Sequence, residues 1–384
     1  MMKRQLFSIL LLCLSFCWAC GSGVPEDTFI LRGRILGCGD KANLHYDSLG
    51  KRVSVPVELQ DGNFLTEFKL AEPQVVSVFF MNDRFFKRSG RGFIPCNSSF
   101  LMFVAQPGQE LKVHENLTKD FIDVYPGGDA ENDVFRKYTS TMHPLLNDCV
   151  NLQLKMSEDK KLTEEEKSTI RKRLEEYDEQ FQRIRMNFLE EHVSSVGGLW
   201  LLEDMLIRTQ LTMEEAERLF QKVDKRYAGL TYYKNIAVRI QGAKQTAVGQ
   251  LAPAIQTKRT YDGKLFSLEG WRGKYVLVDF WGTWCGACIA GMPEMKKFAA
   301  KHADKLMLLG IAKESDEQRW RNYLDKSEWN WRQIISGEGE EDYISRFNVQ
   351  GFPTKILIGP DGKILKRLVG EEPGFYAELE ELMR

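Results

Sequence analysis

The 384-residue sequence carries almost no net charge: 53 Lys and Arg stand against 54 Asp and Glu, leaving -1. With no basic surplus, nothing points to a nucleic-acid surface. No internal repeat and no low-complexity run is present, which sets aside solenoid and fibrous architectures. The N-terminal apolar segment, residues 6–14, falls short of the roughly 20 residues that a membrane-spanning helix needs. Of eight cysteines, only one pair beyond residue 20 has the Cys-x-x-Cys spacing. A zinc site takes about four ligands. Beyond residue 20 there is no second such pair, His302 is the only histidine near it in sequence, and no Cys-x-x-Cys-His for haem occurs, so neither a metal nor another cofactor is expected. Hydrophobic and charged fractions of 43% and 28% are those of ordinary globular protein, and the length leaves room for two or three domains.

What is present is the stretch Trp281-Gly282-Thr283-Trp284-Cys285-Gly286-Ala287-Cys288. It follows the apolar run Tyr275-Val276-Leu277-Val278-Asp279-Phe280, which reads as a buried strand because it is short, β-branched and aromatic. Behind it Met292, Met295, Phe298 and Ala299 recur at helical spacing. The cysteines therefore sit at a strand-to-helix junction. Unpaired N–H groups and the positive end of the helix dipole favour a thiolate there, and a lowered thiol pKa makes the nucleophile of disulfide exchange. Cys285, nearer the open end, is expected to attack. Cys288, one turn inside, is expected to resolve, so that the two form a redox-active disulfide.

The first residues are processing signal rather than fold. Lys3 and Arg4 precede the apolar segment, and Cys17-Trp18-Ala19-Cys20-Gly21 follows it. This resembles a bacterial lipoprotein signal, with residues 1–19 removed, Cys20 lipidated, and residues 20–27 as a tether. The plain alternative is an ordinary secretory signal or an uncleaved anchor. Either reading places the chain outside the cytoplasm, in the cell envelope facing the periplasm. An exposed cysteine pair is oxidised there unless an electron donor keeps it reduced.

Residues 28–125 alternate as strands and turns. Val53, Val55, Val57 and Leu59 alternate with Arg52, Ser54, Pro56 and Glu58, as in a half-buried strand. Asp61-Gly62 and Pro107-Gly108 read as turns between returning strands. The expectation is an antiparallel β-sandwich. For Cys38 and Cys96 a structural disulfide and two free thiols both remain open. Cys149 lies on an apolar series with Val134, Tyr138, Leu145 and Leu152 and reads as core. Residues 126–247 read as helical, with start signals at Thr163-Glu164-Glu165-Glu166 and Thr212-Met213-Glu214-Glu215. Residues 248–384 open with a short hairpin around Asp262-Gly263-Lys264. A strand–helix–strand unit, further helices, strands at residues 355–358 and 364–369 and a last helix follow: a central mixed sheet with helices on both faces.

Ala252-Pro253, the run from Arg272 to Trp281, the Cys285/Cys288 pair and Gly351-Phe352-Pro353-Thr354 together resemble thioredoxin, and more closely the exported TlpA/ResA-like thiol–disulfide oxidoreductases. The resemblance covers residues 248–384 and implies an α/β thioredoxin fold. It implies that Asp279, six residues before Cys285, is the buried acid that accepts the proton of Cys288. It implies a cis peptide at Pro353, a kink at Pro293 in the active-site helix, and a client-binding surface of Trp284, Gly286, Ala287, Phe352, Pro353 and Thr354. One feature departs from the pattern: Ala287 stands where these families commonly have proline, which leaves the redox direction open.

The reading is a multidomain envelope protein with the chemistry of a thiol–disulfide oxidoreductase, favoured as a reductase. Its expected partners are client proteins with disulfides, a membrane electron donor or thiol relay, and the membrane itself through the lipid. A thiol peroxidase fits less well. The pattern Pro-x-x-x-Thr-x-x-Cys would need threonine three before the cysteine, whereas Thr283 is two before, and Val278 stands in the proline position. A non-catalytic binding or metal module is the third reading.

Overall fold

The computed structural model describes residues 24–48, 51–90, 92–94, 96–329 and 331–384. The expected signal peptide and Cys20 lie outside the described residues. No helix among the described residues is long and apolar enough to cross a membrane. The chain forms two compact units that divide between Met186 and Asn187.

Among the described residues the first unit carries nine strands: β1 (Thr28–Leu36), β2 (Lys41–Ser48), β3 (Lys51–Glu58), β4 (Asn63–Lys69), β5 (Gln74–Phe80), β6 (Arg88–Ser89), β7 (Gly92–Phe93), β8 (Phe100–Ala105) and β9 (Glu110–Asn116). They make a three-stranded sheet of order β4-β1-β9, a four-stranded sheet of order β3-β2-β5-β8 and the small β6-β7 ladder. Period-two patterning works as expected: in β4 Phe64, Thr66 and Phe68 are buried while their neighbours face solvent. Phe29, Leu31, Leu44, Val76, Phe103 and Leu111, drawn from both larger sheets, join one buried cluster. Each such side chain contributes roughly 1.5–3 kcal/mol by burial.

Two expectations about strand pairing are corrected. The sheets are not wholly antiparallel, since β1 and β9 run parallel. Nor do Asp61-Gly62 and Pro107-Gly108 join strands that pair along their lengths. The first is closed only by a bridge between Gln60 and Asn63, and each turn hands the chain from one sheet to the other. For β8 the cause is visible. Its outer edge is occupied by Asn132, whose Oδ1 accepts from the Val104 N–H while its Nδ2 donates to the Val104 carbonyl, both at 2.8 Å. Asn132 lies on helix α1 (Ala130–Glu158), so β9 must pair elsewhere. A covered edge also cannot recruit a foreign strand. Cys38, Cys96 and Cys149 are separate buried thiols, so no disulfide joins the first two.

Helix α2 (Glu164–His192) starts at Thr163, whose hydroxyl accepts from the Glu166 N–H at 3.2 Å while the Glu166 carboxylate accepts from the Thr163 N–H at 2.8 Å. The second unit continues with α3 (Val196–Ile207), α4 (Met213–Phe220) and α5 (Thr231–Gln245). Thr212 and Glu215 form the capping box of α4.

The remaining elements are β10 (Gln256–Thr257), β11 (Phe266–Ser267), β12 (Tyr275–Trp281), α6 (Gly286–Lys301), β13 (Leu306–Ala312), α7 (Glu317–Asp325), β14 (Arg332–Ile335), α8 (Tyr343–Arg346), β15 (Thr354–Ile358), β16 (Ile364–Val369) and α9 (Phe375–Leu382). Strands β10 and β11 form the expected hairpin. The main sheet has the order β14-β13-β12-β15-β16. β12, β13 and β14 are mutually parallel, and β15 and β16 return antiparallel. Apolar clusters cover both faces. Leu277, Trp281, Met292, Phe298 and Leu379 lie in one, and Val276, Val278, Phe280, Ile311 and Phe347 in the other. Alternate residues of β12 thus feed opposite layers, and every residue from Val276 to Trp281 is buried, as expected for a central strand.

Candidate active site

Strand β12 ends at Trp281, and four residues later Cys285 caps the N-terminus of α6. Cys285 and Cys288 are joined as a disulfide with Cα atoms 5.3 Å apart. The Cys288 N–H donates to Cys285 Sγ at 3.2 Å. One of the orphan N–H groups of the first turn is therefore aimed at the Cys285 sulfur, where it and the helix dipole favour a thiolate. Cys285 retains 7% exposure and Cys288 1%, while Gly286 and Ala287 between them are exposed. The more accessible sulfur is the one at the helix end. Pro293 lies inside α6, on an exposed position.

The walls come from separate loops. Trp284 is 52% exposed, its indole N–H donates to the Lys313 carbonyl at 3.0 Å, and its ring meets Phe352 edge-on with centroids 5.2 Å apart. The Phe352–Pro353 peptide is cis. Thr354 is buried and its hydroxyl donates to the Gly351 carbonyl at 2.7 Å. The Gly370 N–H donates to the Pro353 carbonyl at 2.8 Å, tying the loop after β16 to the same turn.

Beneath the cysteines a polar row crosses the sheet. Asp279 on β12 is level with Gly310 on β13 and Lys355 on β15, and Gly310 is level with Gln333 on β14. Strand parity puts Asp279 on the face of Leu277 and Trp281, which is the face that packs with Cys285 and Cys288. The missing side chain at Gly310 makes room for the Gln333 amide, whose oxygen accepts from the Trp281 indole N–H at 3.1 Å. Asp279 and Lys355 are 2% and 1% exposed. Burial pushes the Asp279 carboxyl up to about 6, with Lys355 opposing and Glu371 adding to the rise. A carboxyl of that kind is half-ionised close to neutrality and suits proton exchange with a thiol.

The sequence reading missed Lys355, Glu371 and Gln333. Lys355 had a signal of the same type as Asp279, a charge beside the apolar run Ile356-Leu357-Ile358. Glu371 and Gln333 had none, since a loop glutamate and a strand glutamine are ordinary in sequence. Among the described residues no cluster of three or more His, Cys, Asp or Glu side chains could hold a metal ion.

A thioredoxin-like family model matches residues 273–364. The thioredoxin-like protein YneN of Bacillus subtilis is 32% identical over 148 residues, 38% of this chain and 82% of the relative. The thiol–disulfide oxidoreductase ResA of Bacillus thuringiensis is 29% identical over 158 residues, 41% of this chain and 86% of the relative. ResA of Bacillus cereus is 32% identical over 125 residues, 32% of this chain and 69% of the relative. A solved thioredoxin domain of a Bacteroides vulgatus thiol–disulfide oxidoreductase is 28% identical, aligned over 36% of this chain and 99% of its own, with a TM-score of 0.33. With its paired cysteines at a helix N-terminus, this chain belongs to the thioredoxin-like thiol–disulfide oxidoreductases.

Proposed function

We propose that the protein is a protein-disulfide reductase of the bacterial cell envelope, anchored through lipid on Cys20. Cys285 is the nucleophile. Its thiolate attacks a client disulfide, one client sulfur leaves as thiolate, and a mixed disulfide forms. Cys288 then loses its proton to Asp279 and attacks Cys285 Sγ. The client's second sulfur leaves as thiolate, and the Cys285–Cys288 disulfide remains. A membrane electron donor returns two electrons to the pair. Trp284, Gly286, Ala287, Phe352, cis-Pro353 and Thr354 form the surface that an extended client segment meets. We read the N-terminal pair of sheets as a β-sandwich.

The observation that carries this reading is the stacking of three features on one sheet face. The cysteine pair caps α6, a buried carboxyl with a raised pKa lies on the strand beneath it, and a cis-proline turn stands among the walls. The test is the reduction potential of the pair in the soluble form lacking residues 1–20, equilibrated with dithiothreitol or glutathione buffers. A potential close to about -270 mV, that of thioredoxin, supports a reductase. A potential close to about -120 mV overturns the direction and makes the protein an oxidant of new cysteines. Absence of a reversible two-thiol transition overturns the reading altogether.

A further inference from the structure

The exchange chemistry uses Asp279 but leaves two charged neighbours unexplained. Lys355 Nζ lies 2.5 Å from Glu371 Oε1 and 3.7 Å from Asp279 Oδ1. One buried ammonium therefore faces two carboxylates and hydrogen-bonds the outer one. Asp279 Oδ1, though buried, has no hydrogen-bond partner among the described residues. That division is unexpected from the strand register, because Lys355 sits directly opposite Asp279 on the paired strand and directly opposite side chains are natural partners.

The cause lies in the loop between β16 and α9. Gly370, with φ +88°, starts that loop, and its N–H is fixed on the Pro353 carbonyl. Glu371 is the next residue. Its carboxylate packs against Gly291 of α6, where any side chain would collide with it. It is thus held between α6 and Lys355, half-exposed at its outer side, with the buried Asp279 behind the lysine.

We propose that Glu371 is a positioning residue for disulfide exchange: by holding the Lys355 ammonium off Asp279, it preserves Asp279 as a base strong enough to take the proton of Cys288 at neutral pH. This rests on the assignment of Asp279 as proton acceptor. At 3.7 Å the ammonium already favours the Asp279 carboxylate, and a direct hydrogen bond to it would favour the charged form further and make it a poorer base. Diverting the ammonium by one hydrogen bond keeps part of that loss from occurring. The groups facing Asp279 are Lys355 from β15, Glu371 from the β16–α9 loop, Tyr376 from α9, and Cys288 from α6 on the same sheet face. Glu294 of α6 acts on Tyr376. The Tyr376 hydroxyl is buried and held neutral by burial and by the nearby carboxylates, so it does not compete for the proton.

The proton balance is simple. The Cys288 S–H bond breaks, the proton moves to Asp279, the sulfur electron pair forms the bond to Cys285, and the Cys285–client S–S bond breaks with the client sulfur leaving as thiolate.

The test uses the full chain, reduced with excess dithiothreitol and labelled with ¹³C at aspartate carboxyls. The Asp279 resonance is identified by its loss in Asp279→Asn. In Glu371→Gln the lysine is released to Asp279, and the Asp279 midpoint is expected to fall by about one pH unit. In Lys355→Met the cation is gone and the midpoint is expected to rise. Opposite shifts from two neighbouring substitutions are not produced by a general loosening of the fold. An unmoved midpoint in Glu371→Gln, or shifts of the same sign in both variants, overturns the proposal. If Lys355→Met does not fold, Glu371→Gln decides alone, since its side chain is half-exposed. The parent reading fails separately: resolution of a mixed disulfide by Asp279→Asn at the unsubstituted rate removes Asp279 from the reaction, whatever its titration does.

Discussion

The carboxylate of Glu371 occupies the space that a side chain on Gly291 would need. Glycine within a helix ordinarily destabilises it by roughly 0.5–1 kcal/mol relative to alanine, and Gly291 lies well inside α6. Gly291→Ala sets that gain against displacement of Glu371, which is a flexible side chain and can yield. We expect a thermal transition unchanged or slightly raised. The pH midpoint of disulfide exchange should fall as Lys355 turns toward Asp279. A raised transition with an unmoved midpoint would show that Gly291 is not what leaves Glu371 on the lysine.

If Asp279 is the proton acceptor proposed above, its removal should affect activity and stability with opposite signs. Its carboxyl is raised from the ordinary 3.8 to about 6, chiefly by burial. Between these values the folded state holds a proton that the unfolded state has released, so stability falls as pH rises through that window. Above it the full penalty persists, and about two pH units correspond to ~3 kcal/mol. Asp279→Asn removes the penalty. The substitution should stabilise the second unit by up to that amount at pH 7.5, and the gain should vanish below about pH 4. Resolution of mixed disulfides should slow by roughly 10²-fold. Tryptophan fluorescence in urea reads the right unit, because every tryptophan except Trp18 lies beyond residue 187. Equal stability of the two proteins at pH 7.5 would mean that Asp279 ionises without that penalty.

The remaining cysteines should be silent. Cys38, Cys96 and Cys149 are buried, and burial pushes both the Cys38 and Cys149 thiols up to about 11. The Cys38 thiol also donates to the Ile35 carbonyl at 2.8 Å. In the form lacking residues 1–20, the folded oxidised protein should show no thiol that reacts quickly with an aromatic disulfide reagent at pH 8. The folded reduced protein should show the two of the active pair, and the unfolded reduced protein should add the three buried ones. A third fast thiol in the folded state would contradict the burial of these positions.

The sequence made the catalytic centre readable because its determinants are local. Strand β12, the cap at Cys285 and helix α6 are consecutive, and each follows from periodicity, burial pattern and terminus chemistry over a few residues. The cis peptide at Pro353 is a local motif as well. What sequence did not reveal is tertiary. Lys355 and Glu371 meet Asp279 only through an antiparallel register and the packing of a loop against α6. The N-terminal sheets show the same limit. Alternation located their strands, but pairing was decided by Asn132, a helix residue that closes the outer edge of β8 and so sends β9 to β1. Nothing in the spacing of Leu111 and Val113 distinguishes a parallel from an antiparallel partner.

The two sulfurs differ in access and in electrostatics, and this asymmetry gives the most direct test of their roles. Cys285 is the more exposed and accepts an N–H from the first turn of α6, whereas Cys288 lies one turn inside the helix, 1% exposed. Cys288→Ser retains the attacking thiolate and loses the resolving thiol. It should accumulate a stable mixed disulfide with a small disulfide substrate, seen by mass spectrometry as one adduct per chain that dithiothreitol removes. Cys285→Ser leaves a thiol one turn inside the helix, pointing at an oxygen that cannot exchange. It should form no adduct on the same timescale, and turnover should fall to background in both variants. Rapid adduct formation by Cys285→Ser at a rate matching Cys288→Ser would reverse the assignment, because an inner sulfur able to attack a client would need neither the helix cap nor the exposed position.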